Sequence, residues 1–154
     1  MRKTLVAVAI ALVFALGSLG PAVAAKDKKM KTPSLYHQLG GKTGIKKVVN
    51  DFVGNVAADN RINKFFADAA KDKHRLSHFK GNLVDQICQA SGGPCKYKGK
   101  DMRTAHKGMG ITDADFNALV EDLVKALDDN HVSAEAKNTL LGALGPMKGD
   151  IVGQ

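Results

Sequence analysis

The chain has 154 residues and a formal net charge of +8, a length that fits one domain with a single hydrophobic core. Its basic residues are not interleaved with aromatic ones, and aromatic residues make up only 5% of the chain. Because unpaired bases stack on aromatic rings, this composition disfavours nucleic-acid binding.

The first element is an apolar run, residues 5–16, which follows Arg2 and Lys3 and precedes a small-x-small sequence that ends at Ala24. This pattern is typical of a secretory signal peptide, so we predict that residues 1–24 are removed on export to the periplasm or the medium. The run is too short for an ordinary membrane span, and we expect no integral span after cleavage. An uncleaved anchor is the alternative.

Residues 25–33 carry four lysines ahead of Pro33. We predict that they form a solvated, mobile leader, although a basic run can also bind an anionic surface. Removing the signal peptide takes away two basic residues and lowers the formal charge from +8 to +6.

Strand signals are nearly absent from the rest of the chain, and helical periodicity is strong. Between Ile45 and Val56, apolar residues lie at spacings of 0, 3, 4, 7, 8 and 11, which predicts one continuous buried stripe on a helix. The first predicted elements are a short helix over 34–39, a helix over 43–58, a helical turn over 60–67, a loosely held polar connection over 69–73 and a helix over 74–90.

A loop over 95–101 and a short helical turn lead to Thr112, which has the character of an N-cap for a helix that ends near Asn130. Ser133 is predicted to cap the last helix, with a kink at Gly145-Pro146. We therefore predict an all-α domain of four longer helices. Periodicity alone leaves open whether they pack as two crossed antiparallel pairs or as an up-and-down bundle.

Cys88 and Cys95 are the only cysteines, and a turn-forming sequence containing Gly92-Gly93-Pro94 separates them. An exported compartment permits a disulfide, so we expect these two residues to be joined. The chain contains no C-x-x-C-H sequence, which is the signature of covalent haem attachment.

His106 lies in the stretch 102–111, four residues after Met102 and just before Gly108 and Gly110. If the turn is helical, Met102 and His106 share a face, and the glycines prevent the helix from continuing far. A histidine at the end of a short, constrained element can be held at the fixed angle that an axial metal ligand needs. By itself this pattern more often marks a helix C-terminus, where a histidine meets the helix dipole.

Several motifs follow one another in the chain: Leu35-Tyr36-x-x-Leu39-Gly40-Gly41, Phe52, Arg61-Ile62-x-x-Phe65-Phe66, Gly92-Gly93-Pro94 with Tyr97-x-Gly99, and the Met-x-x-x-His of Met102 and His106. In this order they resemble the motifs of the group I truncated haemoglobins. The resemblance covers residues 34–150 and implies a truncated globin domain over 34–152. It also implies a two-over-two helical sandwich around haem b, held non-covalently, with His106 as the iron ligand.

Haem is a flat apolar disc, so it needs a slot between amphipathic helices. The expected cofactor contacts are His106, Phe52, Phe66, Phe79, Leu83, Met102, Met109, Ile111, Phe116 and Val120. In the family pattern the distal pocket has a tyrosine and glutamines that donate hydrogen bonds to the bound gas. Here Val53, Phe79 and Leu83 occupy those positions, and Gln86, one turn further on, is a reserve donor.

The resemblance implies a monomeric protein that binds oxygen, nitric oxide or carbon monoxide, and it leaves carrier, sensor and nitric oxide dioxygenase open. A dioxygenase needs its iron reduced in every cycle, and this chain carries no reductase domain. We therefore favour gas binding over catalysis, with an external electron donor as a possible partner.

A competing hypothesis is a helical transition-metal binder. His74 and His78 are spaced i, i+4 and can chelate zinc or copper. No third ligand is evident in the sequence, and two solvated surface histidines are the simpler interpretation. Within the globin hypothesis, His78 is a candidate sixth iron ligand if the distal helix is shifted.

Overall fold

The computed structural model describes residues 32–154, so the predicted signal peptide and nearly all of the predicted leader lie outside the described residues. Every regular element of the described part is helical, which confirms the all-α prediction. The elements are α1 (Leu35–Gln38), α2 (Gly41–Ala58), a 3₁₀ turn (Asn63–Phe66), α3 (Ala67–Ala70), α4 (Lys73–Ala90), α5 (Met102–His106), α6 (Asp113–Asp129), α7 (Ala134–Leu144) and a second 3₁₀ segment (Gly145–Asp150).

Helix α2 is the central element and packs most extensively against α6 and α4, while α7 contacts α1 and α4. The predicted apolar stripe of α2 forms much of the core, and the buried members are Ile45, Val48, Val49, Phe52 and Val56. Val53, the remaining member of that stripe, is half-buried. Helix α2 therefore fixes the positions of both longer helices that lie beside it.

The connection between the first 3₁₀ turn and α4 is more ordered than the sequence predicts. Instead of a loose polar link over 69–73, Ala67–Ala70 forms the helical turn α3. The Asp72 carboxylate then accepts a hydrogen bond from the Arg75 backbone N–H and caps α4. The prediction of a loose link was wrong because this N-cap lets α4 begin at Lys73, with only two residues between the two helices.

The predicted caps of α6 and α7 are confirmed. The Thr112 hydroxyl accepts from the Asp115 backbone N–H, and the Asp115 carboxylate accepts from the Thr112 backbone N–H, which forms a capping box on α6. The Ser133 hydroxyl caps α7 in the same way, through Ala136. The predicted kink at Gly145-Pro146 is instead the end of α7, after which the chain continues as a 3₁₀ segment.

Asp122 of α6 lies in the core, with 9% of its surface exposed. Its Oδ2 atom has no hydrogen-bond partner in the described part of the chain. Burial raises the pKa of this carboxyl, and the nearby Asp59 carboxylate adds to that effect. A buried carboxylate without a partner weakens the folded state at neutral pH, since the charged form is desolvated.

Replacing Asp122 with Asn is expected to raise the free energy of unfolding by about 1 kcal/mol at pH 7, because the amide is neutral. The folded-state pKa of Asp122 lies above its ordinary value, so the wild type loses stability as pH rises from that ordinary value through the folded-state pKa. The increase in the free energy of unfolding should therefore be small near pH 3 and larger at pH 7. Urea unfolding at the two pH values measures it.

Asp128→Asn is the matched control, because Asp128 is an exposed carboxylate of the same helix, paired with Lys137 at 2.6 Å. It should bring no gain at either pH. An equal gain from Asp122→Asn at both pH values would show that amide packing, rather than the removal of charge, is responsible.

Candidate functional site

A cavity of about 410 Å³ lies between α4, α5 and α6, and residues of α7 and the second 3₁₀ segment complete its wall. Its volume is in the range of small-molecule sites, about 300–1,000 Å³, and its lining is largely apolar. The lining residues are Phe52, Phe66, Phe79, Asn82, Leu83, Gln86, Ile87, Tyr97, Met102, His106, Phe116, Leu119, Val120, Leu123, Leu141, Leu144, Gly145, Met147 and Ile151. None of these is a lysine, arginine, aspartate or glutamate, so the cavity suits a large apolar ligand.

His106 is the last residue of α5 and lines this cavity. Its Nδ1 atom is 2.7 Å from the carbonyl oxygen of Met102, four residues earlier. A carbonyl oxygen only accepts, so Nδ1 carries the proton and donates. In the neutral ring this leaves the lone pair on Nε2, and the hydrogen bond fixes the ring orientation. A histidine that coordinates a metal is held in this way.

The start of α5 is held by Asp101, whose carboxylate accepts from the backbone N–H of Thr104 at 2.9 Å. The backbone hydrogen bond from Thr104 lowers the pKa of Asp101, so the cap stays charged to a lower pH than an ordinary aspartate would. Farther along α5, Arg103 pairs with Asp150 at 2.9 Å. This short helix is therefore anchored both to the preceding loop and to the second 3₁₀ segment.

The chain after His106 is anchored as well. Gly108 and Gly110 have φ angles of 78° and 61°, a left-handed conformation that side chains rarely adopt. The Gly110 N–H donates to the carbonyl of Gln154, and the Gly153 N–H donates to the carbonyl of Ile111. The last residues of the chain thus hold the glycine turn that ends α5.

The structure brings most of the sequence-predicted site residues to one cavity. Those that line it are Phe52, Phe66, Phe79, Leu83, Gln86, Met102, His106, Phe116 and Val120. Ile111 is buried and Met109 is half-buried, but neither lines the cavity. Val53 lines a neighbouring hollow of about 350 Å³ instead. Phe52, Phe66 and Phe79 border both spaces.

Sequence reasoning missed two polar lining residues, Asn82 and Tyr97. Asn82 was detectable, because it lies three residues after Phe79 and four before Gln86, on the same face of α4. Tyr97 comes from the irregular loop before α5, where periodicity gives no signal. The missed apolar residues of α7 and beyond include Leu141, Leu144 and Met147.

The amide groups of the cavity wall are already engaged, though weakly. The Gln86 Nε2 atom lies 3.5 Å from the Met102 sulfur and 3.3 Å from the Met147 sulfur. The Asn82 Nδ2 atom lies 3.4 Å from Nδ1 of His78. Thioether sulfur is a weak acceptor and the contact of Asn82 with His78 is long, so these contacts hold the amides without satisfying them fully.

Cys88 and Cys95 are joined by a disulfide, with Cα atoms 5.7 Å apart. The bond links the end of α4 to the loop that leads to α5. Beside it, the Tyr97 backbone N–H donates to the side-chain oxygen of Gln89 at 2.8 Å. Both links hold the loop that carries Tyr97 into the cavity wall.

The alternative metal site gains no support from the described residues. His74 and His78 are both exposed on α4. Among residues 32–154, no group of three or more histidine, cysteine or acidic side chains is placed to hold a metal ion. The interpretation as solvated surface histidines therefore fits better.

The comparisons with known proteins agree with this geometry. Residues 34–152 match the family model described as "Bacterial-like globin". The chain belongs to the bacterial-like globin family. Group 1 truncated hemoglobin GlbN of Mycolicibacterium paratuberculosis is 31% identical over 129 residues, which cover 84% of this chain and 91% of that protein. Group 1 truncated hemoglobin of Tetrahymena pyriformis is 32% identical over 124 residues, with coverage of 80% and 98%.

Solved globin structures share the fold. The Fe(III) form of the truncated hemoglobin from Tetrahymena pyriformis superposes with a TM-score of 0.72 at 31% identity, covering 79% of this chain and all of that one. The 2/2 hemoglobin from Synechococcus sp. PCC 7002, in the cyanomet state and with covalently attached heme, gives a TM-score of 0.70 at 31% identity. It also covers 79% of this chain and all of that one. This globin therefore has the two-over-two helical fold. No helix of the described part is long and apolar enough to cross a membrane.

Proposed function

We propose that this globin binds haem b non-covalently through Nε2 of His106 and takes up a diatomic gas: oxygen, nitric oxide or carbon monoxide. The observation that carries the proposal is the hydrogen bond from His106 Nδ1 to the Met102 carbonyl at 2.7 Å. It leaves the lone pair of Nε2 free to coordinate iron in an apolar cavity. The haem would supply the iron that binds the gas.

The residues around His106 fit a flat apolar cofactor. Rings of Phe52, Phe66, Phe79 and Phe116 line the cavity, and aromatic faces pack well against a macrocycle. The absence of charged side chains from the lining means that the propionates would have to lie outside the apolar part. Attachment of haem through cysteines is disfavoured, because the chain has no C-x-x-C-H sequence and its two cysteines are joined to each other.

A haem titration tests the proposal directly. Adding ferric haem to the haem-free protein should produce a Soret absorption band that saturates at one haem per chain. Acidified butanone should then extract the haem completely, since no covalent bond holds it. A protein that gives no Soret band but binds zinc or copper would support the competing transition-metal hypothesis and overturn this one.

We further propose that the protein is exported and works outside the cytoplasm. The apolar run over 5–16 and the small-x-small sequence ending at Ala24 support this location. Mass spectrometry of unreduced protein from the native source should find an N-terminus at Ala25. The mass should also be two hydrogens below the value for free thiols, because Cys88 and Cys95 are joined. Protein that retains Met1 in the cytoplasm would contradict the export proposal.

A further inference from the structure

The groove between α2 and α4 is lined by four lysines, two from each helix. It measures about 500 Å³, and the lysines are Lys42, Lys46, Lys73 and Lys80. Among the described residues that line it, Asp85 is the only acidic one, and Lys42 already pairs with it at 3.1 Å. The groove therefore carries a net charge of +3 beside the half-buried side chain of Leu76.

Two of these lysines are free of ion pairs with the described residues. Lys46 and Lys73 take part in no ion pair within residues 32–154, whereas the Lys80 ammonium donates to the Asn50 side chain at 3.0 Å. Free, exposed ammonium groups are complementary to the carboxylates of an acidic protein surface.

Helices α2 and α4 together carry six basic and two acidic residues, a net charge of +4. Two of the basic residues, Lys42 and Arg75, pair with acidic ones. The unpaired, exposed ammonium groups of Lys46 and Lys73 therefore attract an acidic partner to the groove.

The groove also adjoins the spaces that lead inward. It shares Asn50, Leu76 and Lys80 with the smaller hollow. That hollow in turn shares Phe52, Phe66 and Phe79 with the cavity of His106. The rings of Phe66 and Phe79 are 5.7 Å apart between centroids. A partner in the groove would thus be connected to the proposed haem through packed side chains, among them Phe66 and Phe79.

We propose that the lysine groove docks a small acidic one-electron carrier protein that reduces the iron. The proposal rests on the proposed function, since it needs haem in the cavity. In the step, the carrier is oxidised by one electron and ferric iron becomes ferrous. No bond breaks and no proton moves.

The test uses the haem-loaded protein and a plant-type [2Fe–2S] ferredoxin as an acidic probe. The double variant Lys46→Glu with Lys73→Glu should weaken binding at low salt by about tenfold or more, because the groove changes sign. When ferredoxin is limiting, the rate at which reduced ferredoxin reduces the iron should fall by the same factor as the binding. Reduction by dithionite, a small reagent, should be unchanged. Added salt should reduce the difference between wild type and variant.

The control is Lys96→Glu with Lys98→Glu, which makes the same charge change on two exposed lysines of the loop before α5. Equal losses in both double variants would overturn the proposal, because net charge alone would then explain them. Slower reduction by dithionite would also overturn it, since the haem site itself would have changed. Ferredoxin binding is read independently, from amide chemical-shift changes along α2 and α4. If the wild type gives no Soret band, the haem proposal is overturned. The proposed role of the groove in reduction then fails with it.

Discussion

Replacing His106 with Ala is expected to abolish stable haem uptake. The variant loses the only imidazole in the lining of the cavity. Loss of an outer-shell partner of a metal ligand already costs about 10- to 100-fold in affinity, so loss of the ligand itself should cost more than about 100-fold. Haem titration followed at the Soret band measures the change. Added imidazole should restore part of the binding, because the missing side chain leaves room for it.

His78→Ala is the matched control, since His78 is exposed on α4 and lies outside the lining of the cavity. It should bind haem like the wild type. A His106→Ala protein that takes up haem normally and keeps an unchanged ferrous spectrum would remove His106 from its proposed role. A changed spectrum in His78→Ala would instead favour His78 as a sixth ligand.

The helices were predictable because they carry apolar repeats, as the stripe from Ile45 to Val56 shows, and because Thr112 and Ser133 mark the starts of α6 and α7. The burial of Asp122 was not predictable, because a charged side chain gives no signal of the core in the sequence. In the structure α6 contacts α2 and also lines the cavity. Its small residues Ala118 and Ala126 are buried with Asp122, while Phe116 and Val120 line the cavity.

The site was predictable where a motif or a helical face defines it, as for His106 and Phe79. It was not predictable at Met147 and Ile151, because the chain leaves the α-helical repeat at Gly145 and a 3₁₀ segment brings them to the cavity. Val53 shows a second limit. The repeat placed it correctly on α2, but which of two adjoining spaces it lines depends on how α3 and α4 pack beside it.

The polarity of the cavity decides which gas is favoured, and the wild type is expected to release oxygen quickly. Oxygen becomes polar on binding and gains more from an N–H or O–H donor than carbon monoxide does. Val53, Phe79 and Leu83 provide no such donor. The amide of Gln86 is directed at two methionine sulfurs, and that of Asn82 lies beside His78. The Tyr97 hydroxyl donates to the Lys100 carbonyl at 2.8 Å. Stopped-flow oxygen release and the carbon monoxide stretching frequency measure this property.

Val53→Tyr should then slow oxygen release, because the hollow of about 350 Å³ beside Val53 has room for a phenol at the border of the cavity. A hydrogen bond to a charged partner contributes about 1.5–3 kcal/mol, which corresponds to roughly ten- to a hundred-fold in the release rate. Val53→Phe is the control, since it adds the same ring without the hydroxyl and should leave the rate nearly unchanged. Carbon monoxide release should change little in either variant.

If the wild type already releases oxygen slowly, a donor must be present in the cavity, and the two amides are the candidates. Asn82→Ala and Gln86→Ala would then tell them apart, because only the variant that lacks the donor would release oxygen faster.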